Sequence, residues 1–135
     1  MSLNDPIRIA MKKDTPSVAV DDTLRTVIKK MSDTGVTGLL VKSGKDLVGI
    51  VTEMDVLTSI VNNGDPDAVK VSGLMTACEL ITAQPATSPC VQLDEGETMM
   101  NALAIMREAG VRNLVVADGN TVKGIISARD ILSFV

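Results

Sequence analysis

Gly49-Ile50-Val51-Thr52-Glu53-Met54-Asp55 is followed, 75 positions further along the chain, by Gly124-Ile125-Ile126-Ser127-Ala128-Arg129-Asp130. The similarity between the two stretches extends without a gap over residues 23–60, which align with residues 98–135. Self-similarity over a unit of this length indicates a duplicated supersecondary module. The repeated stretch therefore predicts two copies of one fold within the chain.

Composition places the chain among ordinary globular proteins, with 135 residues, 45% hydrophobic and 22% charged. Two repeats of this size are marginal alone, so we expect them to share a core. The net charge of −4 argues against nucleic acid or an anionic membrane surface as the main partner, because both require clustered Lys and Arg. We find no signal-like start and no long apolar run, and we expect a cytoplasmic protein without a membrane span.

The inventory of reactive side chains is short, since the chain has no histidine and its only cysteines are Cys78 and Cys90. A structural zinc site needs more ligands than these. The absence of histidine also removes Ser-His-Asp and Cys-His catalysis and the commonest general base near neutral pH. We therefore predict no metal site and no catalytic residue. A disulfide between the cysteines is disfavoured in a reducing compartment, and buried or loop thiols are the preferred interpretation.

Each repeat has the pattern strand, helix, strand, strand, helix. In the first repeat, the alternation at Val18-Ala19-Val20 predicts a short strand, and Asp21 or Asp22 is predicted to cap the following helix. Gly35 is the expected stop of that helix, and a hairpin and a closing helix from Thr52 complete the repeat. The methionines on the helix faces are interpreted as core rather than as a binding groove.

The repeated motif has two interpretations, which the residues alone leave open. Thr52-x-x-Asp55 and Ser127-x-x-Asp130 match a capping box, in which a hydroxyl accepts from an amide and the acid accepts from the cap residue in return. Duplication copies such a cap whether or not it binds a ligand. On this interpretation the motif only starts a helix.

On the second interpretation, the same motif binds a nucleotide. A hydroxyl beside the free amides of a helix N-terminus suits a phosphate. A nearby carboxylate can accept hydrogen bonds from both hydroxyls of a ribose. Gly49 and Gly124, which begin the repeated stretch, would let a ligand approach the strand backbone closely.

The arrangement resembles a pair of cystathionine-β-synthase (CBS) domains over nearly the whole chain, residues 7–135. The features that carry the resemblance are the lead-ins that end in Met11 and Met75, the Met-x-x-x-Gly-Val helix ends at 31–36 and 106–111, and the duplicated Gly-x-x-Thr/Ser-x-x-Asp signature. Each is weak alone, but their order, repeated, is specific.

The resemblance implies an α+β (α/β) fold, in which two pseudo-symmetric β-α-β-β-α repeats pack sheet to sheet as one CBS domain pair. The first repeat is expected at residues 7–61, a linker at 62–70 and the second repeat at 71–135, with an insertion at about 76–90. The insertion is a candidate lid or dimer contact. The family's two clefts commonly hold AMP, ADP, ATP or S-adenosylmethionine, and no further cofactor is required.

By position in the family motif, Asp55 and Asp130 are expected to bind the ribose hydroxyls. Thr52 and Ser127 are expected to contact the phosphate or the sugar edge of the same ligand. Each aspartate and its hydroxyl partner thus belong to one predicted nucleotide cleft.

The second cleft is predicted to bind the ligand more tightly, because it has cationic candidates for the phosphate. Arg112 follows the Gly-Val step, where the first repeat has Thr37, and Arg129 precedes the aspartate, where the first repeat has Met54. Arg112 can pair with a phosphate in a bidentate manner. The alternative for both arginines is a solvated surface.

The adenine pocket is expected to be aliphatic, since Phe134 is the only aromatic residue of the chain. The residues predicted to line it, which are equally suited to the core, are Val18, Val20 and Ile50 in the first cleft and Val91, Leu93 and Ile125 in the second.

These features favour a non-catalytic sensor that binds an adenosine ligand and reports to an unknown regulated protein. Homodimerisation is expected from the family. The alternative is a structural dimerisation module without a ligand, and an enzyme is disfavoured because no histidine, paired cysteine or metal cluster supports one.

Overall fold

The computed structural model describes residues 2–12, 14–77, 92–118 and 121–135. These residues form two compact units, one from the described part of Pro16–Glu79 and the other from the described parts of Met1–Thr15 and Leu80–Val135. We call them the first-repeat unit and the second-repeat unit. Each unit contains the strand, helix, strand, strand, helix order of one sequence repeat, together with the lead-in segment of the other repeat.

The first-repeat unit has a sheet of strand order β1-β2-β3-β4, in which β1 is parallel to β2 and the other pairs are antiparallel. Its elements in chain order are β1 (Ser17–Ala19), α1 (Leu24–Thr34), β2 (Gly38–Ser43), β3 (Asp46–Thr52), α2 (Glu53–Val61), α3 (Val71–Leu74) and β4 (Thr76–Ala77).

The second-repeat unit has a sheet of order β5-β6-β7, again with a parallel pair followed by an antiparallel hairpin. Its elements are a 3-10 helix (Ile7–Ile9), β5 (Gln92–Asp94), α4 (Met99–Ala109), β6 (Asn113–Asp118), β7 (Thr121–Ser127) and α5 (Ala128–Leu132). The mixed α/β class and the repeated element order predicted from the sequence are confirmed.

The long helix of each unit ends where the sequence predicts, but the N-terminal cap of the helix in the first-repeat unit is a different residue from the one predicted. Gly35 and Gly110 terminate the two helices with φ of 73° and 71°, a left-handed conformation that favours glycine. The cap expected at Asp21 or Asp22 is wrong: Thr23 accepts from the Thr26 amide instead. The Asp22 carboxylate instead accepts a hydrogen bond from the Ala19 amide, which stabilises the turn before the helix.

Each unit has its own apolar core between sheet and helices. The core of the first-repeat unit comprises Val18, Val27, Leu39, Val41, Val51 and Val71. The core of the second-repeat unit comprises Ile7, Leu93, Met99, Ala102, Met106, Leu114, Val116, Ile126 and Ile131. Met99 and Met106 are buried and Met31 packs against the first core, so the interpretation of the helix methionines as core is confirmed.

The lead-in segments are held by an apolar anchor and by backbone hydrogen bonds. Ile7 is fully buried in the second-repeat unit, and its amide donates to the carbonyl of Glu97 at 2.8 Å. Val71 is fully buried in the first-repeat unit, and its amide donates to the carbonyl of Asp22 at 2.8 Å. Ile7 and Val71 occupy equivalent positions in the two lead-ins, so each unit holds the lead-in of the other repeat through the same kind of contact.

The predictions for the two cysteines, for Val91 and for most of the insertion expected at 76–90 concern residues outside the described part of the chain. Thr76 and Ala77, at its start, form strand β4. In the part of the chain that the structure describes, no cluster of His, Cys, Asp or Glu could hold a metal ion. No helix in that part has the length and apolar character needed to cross a membrane.

Candidate functional site

In the first-repeat unit, the repeated motif forms the junction between β3 and α2. The Thr52 amide donates to Asp55 Oδ2 at 2.8 Å, and the Asp55 amide donates to Thr52 Oγ1 at 3.4 Å. The Thr52 hydroxyl also donates to Asp55 Oδ2 at 3.2 Å. The junction is a complete capping box, so this interpretation of the motif is confirmed for the first repeat.

The second-repeat unit builds the same junction between β7 and α5. The Ser127 amide donates to Asp130 Oδ2 at 2.9 Å, and the Asp130 amide donates to Ser127 Oγ at 3.1 Å. The hydroxyl of Ser133 donates to the Asp130 carbonyl at 2.7 Å and closes the end of this short helix. The capping box is thus complete in both repeats.

A complete cap still leaves each carboxylate with an available oxygen. Among the described residues, every hydrogen bond to Asp55 and Asp130 ends on Oδ2. With respect to the described part of the chain, each Oδ1 therefore keeps its lone pairs for another donor, such as a ribose hydroxyl. For the two aspartates, the capping and ligand-binding interpretations use different oxygens and are compatible.

The Asp55 carboxyl lies in a less polar environment than a surface carboxyl. Burial raises its pKa above the usual value, and the hydrogen bonds from the Thr52 amide and hydroxyl oppose this rise. A half-buried carboxylate of this kind gains more from an additional donor than an exposed one does, because water competes less for it.

The glycines that begin the motif are in close contact with the chain itself. A Cβ on Gly49 would lie 2.5 Å from the Thr76 carbonyl oxygen. A Cβ on Gly124, whose φ is +154°, would overlap the Thr15 hydroxyl. The space next to each glycine is therefore filled by the end of a lead-in segment and the residues after it in the same unit. This differs from the expected approach of a ligand at this point.

Strand pairing brings the residues after each Gly-Val step to the junction. The Ala128 amide at the start of α5 donates to the Arg112 carbonyl at 2.9 Å, and the Glu53 amide donates to the Thr37 carbonyl at 3.0 Å. In the next register position, Asn113 is paired with Ser127. Arg112, predicted from the sequence to serve the second motif, is therefore adjacent to it.

Both predicted phosphate-binding arginines are exposed. Neither Arg112 nor Arg129 forms an ion pair with any described residue, in contrast to Arg25, which is paired with Asp67. Arg112 also borders a shallow depression of about 380 Å³. The residues that line this depression are Leu103, Met106, Arg107, Gly110, Val111, Arg112 and Ala128.

The predicted adenine-pocket residues fall into two groups. Val18 and Leu93 are core members, and Val20 packs against the core of the first-repeat unit. Ile50 and Ile125 are also buried but, since neighbouring Val51 and Ile126 point into the cores, they lie on the opposite face of each sheet. Their contact with adenine stays a prediction.

Sequence reasoning missed two residues beside the second junction. Thr15 Oγ1 accepts from the Ile125 amide at 3.0 Å, and no spacing rule connects residues this far apart. Arg107 contributes a second cation to the depression beside Arg112. The sequence does contain a signal for Arg107, because the equivalent residue of the first repeat, Ser32, is uncharged.

Comparison with known proteins identifies related sequences and folds. The family model described as CBS domain matches residues 7–62 and 71–135. Uncharacterized protein MK0525 of Methanopyrus kandleri is 26% identical over 124 residues, which cover 90% of this chain. The chain spans 58% of the length of that relative.

Two solved structures show the same fold. The hexameric CBS-CP12 protein from bloom-forming cyanobacteria is 25% identical, with a TM-score of 0.77 over 94% of this chain and 66% of that one. The CBS domain protein PAE2072 from Pyrobaculum aerophilum, complexed with AMP, is 21% identical, with a TM-score of 0.74 over 93% of this chain and 88% of that one.

Proposed function

The chain belongs to the CBS domain family, and we propose that it is a regulatory domain pair that binds an adenosine-containing ligand, either AMP, ADP, ATP or S-adenosylmethionine. The observation that carries the proposal is the state of the two aspartates. Asp55 and Asp130 are each fixed by a cap through Oδ2, and Oδ1 accepts from no described residue. The AMP complex of the Pyrobaculum aerophilum relative supports the ligand class.

The proposed recognition divides the ligand among the groups of each junction. A carboxylate held in one orientation accepts from the ribose hydroxyls without a further loss of side-chain freedom. Thr52 or Ser127 lies beside it and contacts the sugar edge or the phosphate. Aliphatic side chains take the place of aromatic stacking as the surface for adenine, because the chain lacks Trp and Tyr.

We propose that the second-repeat junction is the tighter site for a phosphorylated ligand. Arg112 is adjacent to it, Arg129 is the second residue of α5, and neither arginine is neutralised by a described carboxylate. The first-repeat junction has Thr37 and Met54 at these positions. Charge-assisted hydrogen bonds to phosphate are about twice as strong as neutral ones.

The regulatory role requires that ligand binding favours one state of the protein over another. A ligand shifts such an equilibrium only by its difference in affinity for the two states. We propose a self-associating, non-catalytic, cytoplasmic protein whose assembly or packing responds to the ligand and is read by a regulated partner. The hexameric cyanobacterial relative supports self-association within the fold family.

Calorimetric titration with the four ligands tests the proposal, using Asp55→Asn and Asp130→Asn as variants. Asparagine keeps a carbonyl oxygen for the cap but has no charge, so the helix start is preserved while the ribose contact is weakened. Saturable binding that weakens about ten- to a hundredfold in one variant supports the proposal. Asp130→Ala, which removes both functions, separates loss of the cap from loss of the contact.

A second candidate function is a structural dimerisation module without a ligand. It is favoured by the complete capping boxes, which use the motif without any ligand. Absence of binding heat and of thermal stabilisation with all four ligands, well above physiological concentrations, would support this candidate and contradict the sensor. ATP hydrolysis is expected in neither case.

A further inference from the structure

The depression beside the second junction combines an apolar lining with two cations. Its apolar side chains are buried or half-buried, whereas Arg107 and Arg112 are exposed. Neither arginine forms an ion pair with a residue that the structure describes. Both guanidinium groups are therefore available to one anion in the depression, as far as the described residues are concerned.

The depression is continuous with the junction that holds Asp130. Ala128, which lines the depression, directly follows the cap residue Ser127. The Ala128 amide donates to the Arg112 carbonyl at 2.9 Å, so the strand that begins after Arg112 and the start of α5 are held side by side. A ligand seated at the junction can thus extend past Arg112 toward Arg107.

The first repeat has the same apolar positions with a different charge. In the register of 75 residues, the apolar and glycine positions Leu103, Met106, Gly110 and Val111 correspond to Ile28, Met31, Gly35 and Val36. At the other three positions, the first repeat has Ser32, Thr37 and Glu53. The two repeats therefore share the apolar framework, but two cations in the second repeat stand against one acid in the first.

Arg107 also has a purely structural explanation. It lies in the last turn of α4, where the negative end of the helix dipole favours a cation. However, α1 ends at a glycine of the same left-handed conformation and has no basic residue in its last turn. The helix end therefore does not require a cation, and this explanation predicts no effect of Arg107 on a ligand.

We infer that Arg107 binds the second phosphate of a nucleotide whose first phosphate is paired with Arg112, so that the second-repeat junction selects ADP or ATP over AMP and S-adenosylmethionine. This inference rests on the proposed function and adds which member of the ligand class binds. A guanidinium pairs with phosphate oxygens in a bidentate manner. The apolar lining strengthens such a pair, because water competes less for it.

The size of the depression agrees with this role. Its volume of about 380 Å³ is near the lower end of the roughly 300–1,000 Å³ range of small-molecule pockets. It therefore suits the phosphate chain of a nucleotide, while the ribose stays at Asp130.

Calorimetric titration with adenosine, AMP and ADP, without divalent cations, tests the inference. The original protein is compared with an Asp55→Asn background, in which the first-repeat junction is weakened. In that background, ADP should bind at least about tenfold more tightly than AMP. Adding Arg107→Gln should bring the two affinities to within about twofold of each other by weakening ADP alone. Arg107→Lys keeps the charge and should keep part of the preference.

Lys123→Gln is the matched control, since it removes one exposed cation of the same unit outside the depression. It should leave the ADP preference unchanged. If Arg107 acts only on the end of α4, Arg107→Gln lowers the urea midpoint and the ADP preference persists, which would overturn the inference.

The remaining outcomes separate this inference from the proposed function. Equal affinities for AMP and ADP, or binding that disappears in the Asp55→Asn background, would overturn the inference and leave an adenosine-ligand sensor in place. Absence of binding of all three compounds to the original protein would refute both.

Discussion

The Thr15 hydroxyl accepts a hydrogen bond from the Ile125 backbone amide at 3.0 Å, although the two residues are 110 positions apart. In the first-repeat unit, the equivalent residue Ile50 is paired with Thr76 of strand β4. In the second-repeat unit, a side chain therefore pairs with the sheet edge at the position where the short strand β4 pairs with it in the first-repeat unit. Two motifs that are alike in sequence have different neighbours in the fold.

Thr15→Val is expected to reduce the free energy of unfolding by about 1–3 kcal/mol, because it leaves the Ile125 amide without its acceptor while keeping the side-chain shape. Urea denaturation measures the change. Thr121→Val is the control, since Thr121 is an exposed strand residue whose side chain has no hydrogen bond with a described residue. Equal effects of the two substitutions would contradict this role of Thr15.

Gly124→Ala is expected to destabilise the protein by about 1–3 kcal/mol, since its φ of +154° is strained for alanine and a Cβ would overlap Thr15. Gly73→Ala is the control: Gly73 lies in α3, and a Cβ there meets nothing within 4 Å. A helical site of this kind tolerates alanine or gains from it. Similar losses of stability in the two variants, measured in urea, would argue against a special role for Gly124.

Thr23→Ala should cost about 1 kcal/mol of stability, because the Thr23 side chain caps α1. Asp21→Ala should be close to neutral, since no described residue donates to the Asp21 carboxylate. The comparison of the two midpoints in urea decides between the cap seen in the structure and the one expected from the sequence. A larger loss at Asp21 would favour the latter.

Asp55 is expected to make stability depend on pH. Its pKa is raised in the folded protein, mainly by burial, so the folded state binds the proton more tightly than the unfolded chain does. The contribution of this group to stability is therefore fully present below its unfolded pKa and is lost as the pH rises through the folded value. Asp55→Asn lacks this loss, so its stability relative to the original protein should increase from acidic to neutral pH in urea titrations. A constant difference across that range would contradict the assignment.

Arg112→Gln should weaken AMP binding about ten- to a hundredfold and leave adenosine binding nearly unchanged, because only AMP has a phosphate. Calorimetry with both ligands measures the difference. Arg25→Gln is the control, since Arg25 is already paired with Asp67 in the first-repeat unit. An equal loss for AMP and adenosine would show that Arg112 acts through the fold rather than on the phosphate.

Much of the fold could be predicted because its signals are local. The helix stops at Gly35 and Gly110 and the capping boxes at Thr52 and Ser127 each depend on a few neighbouring residues. Because of the duplication, each of these signals occurs twice in the chain. The cap at Thr23 was missed because aspartate and threonine are both good cap residues, and only the backbone conformation separates them.

The candidate site was predicted in part. The register of 75 residues places Asp55 with Asp130, and Arg112 opposite Thr37, before any coordinates are known. The filling of the space at Gly124 was not predictable, because Thr15 reaches it from the other end of the sequence. A repeated glycine indicates that another group approaches the backbone closely, but it does not identify that group.

By itself, the sequence determined the order of elements, the helix ends and the duplicated junctions, since these depend on backbone preferences and hydrogen bonds within a few residues. Only the tertiary structure decided that the Ile7 lead-in packs in the second-repeat unit and the Val71 lead-in in the first-repeat unit. Those contacts join distant segments. They are selected by the apolar area that each segment buries, offset by the entropy of closing a long loop, and neither quantity can be read from a local pattern.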